Sequence, residues 1–170
     1  MNEAQRLWWR QAQSDHAIFL HLRRGGAHEC HLLHYLQMMT EKLSKAYLWR
    51  SGHVPPKSHT GFVRFLKALL DRPAAQLGWI AKTFGFRRPD DLDKWASSKQ
   101  TQKLAYSLQN IAPAEAKNGA NPEYPWPHES PAHCPVEHSF DLWNELVNTG
   151  QGRKLMEFIS HAVNRFDQFA

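Results

Sequence analysis

Only two cysteines, Cys30 and Cys134, occur in the 170 residues. That is too few for a disulfide framework, and they lack the paired spacing of a strong zinc motif. No apolar run approaches the roughly 20 residues that cross a bilayer. Residues 1–6 are polar and form no signal-peptide core. These absences predict a cytoplasmic protein with reduced thiols and no membrane partner. No Walker loop, dinucleotide fingerprint or nucleophile elbow is present, so the sequence calls for no cofactor. No segment reads as a strand. Acid is scarce in one span: from Lys42 to Arg88 ten basic residues stand against a single acid, Asp71. Beyond Asp90 the balance turns acidic, and the formal net charge is +5. Such a span can present a positive surface to phosphate.

What is present is helical. The hydrophobic fraction of 42% fits a single globular domain rather than a disordered chain. Ala4, Leu7, Trp8, Ala12, Ile18, Phe19 and Leu22 recur at three- and four-residue steps, which predicts a helix over 2–22 that Gly25 and Gly26 end. A second stripe runs over 28–49 through Leu32, Leu33, Leu36, Met39, Leu43, Ala46 and Tyr47, and is closed by Gly52, Pro55 and Pro56. Ser58 can cap a third helix carrying Phe62, Phe65, Leu66, Leu69 and Leu70. Pro73 suits the first position of a fourth, which Gly85 stops. A fifth starts near Asp90 or Asp91 and has a polar middle, 97–102, where it can break. Residues 113–135, rich in Pro, Gly and Asn, read as an extended loop. Helices follow over 140–147 and 154–169, with Gly150 and Gly152 expected to interrupt them. Short connections favour antiparallel neighbours, so an all-α, up-and-down bundle is expected.

Four stretches carry a family resemblance. Trp9-Arg10-Gln11-Ala12-Gln13-Ser14-Asp15 resembles the opening helix of HEPN (higher eukaryotes and prokaryotes nucleotide-binding) domains. Residues 36–48, with Glu41-Lys42 and Lys45-Ala46 among apolar residues, are similar to that family's second helix. Lys57-Ser58-His59 before Phe62 and Leu66 resembles the histidine that opens its third, and Tyr124-Pro125 the pair before its last. Residues 73–120 then read as an inserted helical segment. The resemblance implies a helical bundle, a homodimer or a partner protein, and nucleotide or RNA binding, in some members within toxin–antitoxin or defence systems. Many members are metal-independent ribonucleases with an arginine, four to six variable residues, then a histidine near the start of the last helix. Here His128 matches the histidine, but Asn121 and Glu123 stand where the arginine would. The spacing Arg23 to His28 fits the pattern but falls in the first interhelical turn.

Among individual residues, Asp15 lies beside the apolar stripe of the first helix, where a carboxylate needs a partner such as a lysine. Glu41 and Lys45 form an i,i+4 pair worth a few tenths of a kcal/mol if exposed. Lys45, Arg50, His53, Lys57 and His59 are the nucleotide- or RNA-binding candidates, because a guanidinium fork and a helix N-terminus both suit phosphate. His128 and His59 are the candidate acid–base groups should the protein be a divergent ribonuclease. A third reading is a non-catalytic interaction subunit that clasps a neighbour with the Pro/Trp loop. His28, Cys30, His31 and His34, and His128, His133, Cys134 and His138, are metal-ligand types without a strong metal spacing, so no metal is assigned.

Overall fold

A computed structural model describes residues 1–51, 59 and 61–170. The chain is an all-α bundle, with ten α-helical segments and no strand among the described residues. Helix α1 spans Glu3–Arg24, one residue past Asn2, whose side chain accepts from Gln5 N while Gln5 Oε1 accepts from Asn2 N. This reciprocal box satisfies two donors that a helix start otherwise leaves open. Gly26 at φ 70° turns the chain, and α2, Glu29–Leu48, runs back antiparallel along α1. A 3-10 turn, Trp49–Ser51, ends that rod. Gly52, Pro55, Pro56 and the expected cap Ser58 lie outside the described residues, as do the candidates His53 and Lys57. Helix α3 spans Phe62–Leu70.

Helix α4 is Ala74–Thr83, with Pro73 just ahead of it rather than inside it. The polar middle of the expected fifth helix is a true break: α5, Pro89–Ser97, ends at Ser98, whose side chain then caps α6, Lys99–Asn110. The segment that reads as an insertion is not an appendage, because α6 packs against α2, α3, α8 and α9 and buries Leu104, Ala105 and Leu108. The loop carries a one-turn helix, α7, Pro113–Ala116, and folds back on itself through an isolated bridge between Trp126 and His133.

Helix α8 is Asp141–Asn148 and α9 is Gly150–Asn164. The expected interruption at both glycines is corrected here. The break falls at Thr149, and Gly150 and Gly152 lie within α9. A Cβ on Gly152 would meet Glu145 O at 2.3 Å and Leu146 Cα at 2.5 Å, so this glycine serves close helix approach rather than a turn. Thr149 Oγ1 accepts from Gly152 N and caps α9. A last turn, α10, Phe166–Phe169, closes the chain.

The core is aromatic. Phe62, Phe65, Phe84, Phe158, Phe166 and Tyr47 are fully buried, and Phe84 stacks on Phe158 with centroids 4.3 Å apart. Fully burying one such side chain contributes about 1.5–3 kcal/mol. No helix among the described residues is long and apolar enough to cross a membrane.

Candidate functional site

Charged residues of α1 and α2 meet between these two helices, and α2 also packs against α3. Lys42 Nζ stands 2.5 Å from Asp15 Oδ2, and Gln11 Nε2 donates to the other oxygen at 3.3 Å. Glu41, the residue just before Lys42, is the centre of a second group. Its Oε1 accepts from Lys45 Nζ at 2.5 Å. Its Oε2 lies 2.6 Å from His59 Nδ1 and 3.4 Å from Gln37 Nε2. Asp15 and Glu41 are both buried. A buried charge is tolerated when it is paired and hydrogen-bonded, as both carboxylates are.

Burial pushes the Glu41 carboxyl up. Hydrogen bonds from Lys45 and His59, together with their charges, more than offset that and hold it below its usual value. The Lys45 ammonium also lies 4.9 Å from the centroid of the half-buried Trp8 ring, a cation–π contact. His59 keeps 37% of its side chain exposed, so Glu41 orients a ring that solvent still reaches.

The structure brings together two of the five phosphate-binding candidates, Lys45 and His59, on one carboxylate. Arg50 is drawn elsewhere. Its guanidinium lies 3.9 Å from the centroid of Tyr47 and donates to Ala68 O at 3.5 Å. The expected lysine partner of Asp15 is Lys42. The Glu41–Lys45 pair joins a buried carboxylate to a part-buried ammonium. Within the basic span, Lys42 and Lys45 are thus balanced by acids of their own fold. Arg64, Lys67, Lys82 and Arg87 are exposed and make no ion pair among the described residues.

His128 is exposed at the edge of a 160 Å³ cavity lined by Asn121, Tyr124 and Trp126. No basic residue besides His128 lines it. Asn121, where the family arginine would stand, is buried and shapes the chain: its Oδ1 accepts from Glu123 N and Tyr124 N. Glu123 Oε1 stands 3.3 Å from His34 Nδ1, without the alignment of a hydrogen bond. Trp126, expected as part of a clasping loop, is buried in its own fold and stacks on His133. Tyr124 remains 58% exposed.

Cys30 and Cys134 are free thiols. Burial pushes the Cys30 thiol up, away from the reactive thiolate. Among the described residues no three His, Cys, Asp or Glu side chains come together as metal ligands.

Sequence reading missed the meeting of α1 with α9, where His16 Nε2 lies 3.2 Å from Ser160 Oγ. The available signal was a histidine next to Asp15 on the inward face of α1. Its partner 144 residues away left no local trace.

No family model matches the chain, and no curated protein and no solved structure matches it.

Proposed function

We propose that the protein is a HEPN-like module of the cytoplasm that binds nucleotide or RNA through the basic face around the head of α3, as a homodimer or beside a partner protein. The observation that carries this reading is the charge balance of that face. His59 is held at its edge, and Arg64 and Lys67 lie one turn apart on exposed positions with no carboxylate paired to them among the described residues. Phosphate contacts of this kind release counterions, so affinity falls with salt, with a log–log slope of about −0.7 per phosphate on a single strand. Filter binding of a single-stranded RNA at two ionic strengths tests it. A steep fall, made shallower by Arg64→Gln with Lys67→Gln, supports the reading. A response that salt does not change rejects it.

A second reading, a divergent metal-independent ribonuclease, draws on one distance. Glu41 at 2.6 Å from His59 Nδ1 is the arrangement that orients an imidazole and leaves its other nitrogen for proton transfer. It favours His59 over His128, which has no such orienting partner among the described residues. RNA incubated with wild type and with His59→Ala decides it. Loss of cleavage in the variant supports the dyad, and cleavage unchanged by both His59→Ala and His128→Ala clears these residues.

A further inference from the structure

A groove separate from the basic face lies between the C-terminal half of α1 and the length of α9 from Arg153 to His161. It encloses about 290 Å³, close to the lower bound of about 300 Å³ for small-molecule sites. That size suits one small organic molecule and not a strand of nucleic acid.

Its lining is unusually well supplied with donors. Arg23 comes from the last turn of α1, and Arg153 from the first turns of α9. Both are exposed, and neither makes an ion pair among the described residues. Arg153 Nη1 donates to Val147 O at 3.2 Å, which anchors the side chain at the α8–α9 elbow. Arg23 makes no side-chain hydrogen bond among the described residues, so its fork faces no partner there. Ser160 and His161 also line the groove. His16 holds the Ser160 hydroxyl from behind at 3.2 Å. His161 Nδ1 is buried without a partner among the described residues, an unmet hydrogen-bonding demand.

The apolar part of the wall is Phe19 and Met156, both buried in the core. One carboxylate, Glu157, also lines the groove, but it is largely exposed and leans to Lys154 at 3.6 Å. Two forked cations, a hydroxyl and an imidazole against a single outward acid favour a compact dianion. Arg presents parallel N–H donors that match phosphate oxygens, and the positive end of α9 adds to the attraction.

We infer that the α1–α9 groove binds a phosphomonoester of a small organic molecule, with Arg23 and Arg153 straddling the phosphate and the carbon skeleton lying against Phe19 and Met156. The site stands independently of the α3 face.

Isothermal titration with ribose 5-phosphate as the probe tests it, with ribose and a trinucleotide lacking terminal phosphates as controls. Expected is saturable binding of the phosphomonoester at one site, with no heat from ribose and none from the trinucleotide once Arg64→Gln and Lys67→Gln have removed the α3 face. Arg23→Gln and Arg153→Gln should each weaken it at least tenfold, with melting temperatures unchanged. Arg153→Lys should recover only part, because charge returns without the fork. Arg64→Gln with Lys67→Gln should leave this binding intact while weakening any RNA binding, so the two readings fail separately. Absence of saturable binding overturns the inference. So does equal affinity for ribose or for the trinucleotide, and so does loss of binding through α3 rather than through the two arginines.

Discussion

Glu41 accepts Lys45 on one carboxylate oxygen at 2.5 Å and lies against His59 on the other at 2.6 Å. One buried acid thereby ties the middle of α2 to the residue that leads into α3. The relationship is both structural and chemical, since it locks the approach of α3 and fixes the orientation of a partly exposed imidazole.

Replacing Glu41 with Gln should therefore destabilise the fold, by about 1–3 kcal/mol for the buried donors left without their anion. The pH dependence should change as well. The folded-state pKa of Glu41 is depressed below its usual 4.5. Its stabilisation is thus present above that value and lost as pH falls through the folded pKa. Urea unfolding from pH 6 to pH 3 should show a shallower loss of stability in Glu41→Gln than in wild type.

The Asp15–Lys42 pair links residues 27 apart in sequence. Breaking it from one side, with Asp15→Leu or Lys42→Met, should cost about 3–5 kcal/mol, because a buried charge is stranded. The double variant Asp15→Leu with Lys42→Met should be more stable than the two single losses added together. A double-mutant cycle by chemical denaturation measures the coupling. Strict additivity would show that the pair does not act as a unit.

His16 is buried between α1 and α9, and burial holds its imidazole pKa below the usual 6.5. The unfolded chain therefore takes up a proton more readily than the folded one. Stability is fully present above about pH 6.5 and declines as pH falls through that value toward the folded pKa. Melting temperatures between pH 7.5 and pH 5.5 should fall less for His16→Gln than for wild type.

Two glycines of α9 make a matched pair. Gly150→Ala meets nothing within 4 Å and should be neutral or stabilising by up to about 1 kcal/mol. Gly152→Ala would drive a methyl into the backbone of Glu145 and Leu146. It should cost about 3 kcal/mol or more. Thermal unfolding of the two variants side by side checks this.

The Pro-rich loop is anchored by Trp126, which stacks on His133 and meets His138 edge-on. Trp126→Ala should cost about 3–5 kcal/mol, as for other buried indoles. Limited proteolysis should then cut within 121–139, where wild type resists.

The helices were legible because their signals are local. A three-to-four-residue apolar period, the glycines Gly25 and Gly26 and a Pro73 at the start of the fourth helix act within a turn or two of themselves. Asp15 could be recognised as a carboxylate in need of a partner, since a charge in an apolar stripe is anomalous wherever the stripe goes. Which lysine answered it, and that Glu41 would be buried between Lys45 and His59, depended on the faces of α1, α2 and α3 coming together. Composition likewise showed a basic span, but only the packing decided that two of its lysines are neutralised by internal acids while Arg64 and Lys67 stay free. The place of Gly152 inside a helix, of Trp126 inside the core and of Arg23 opposite Arg153 was decided in the same way. Backbone preference is a short-range energy that each segment carries alone. Burial, and with it the partner of every charge, exists only once distant segments have excluded water from between them.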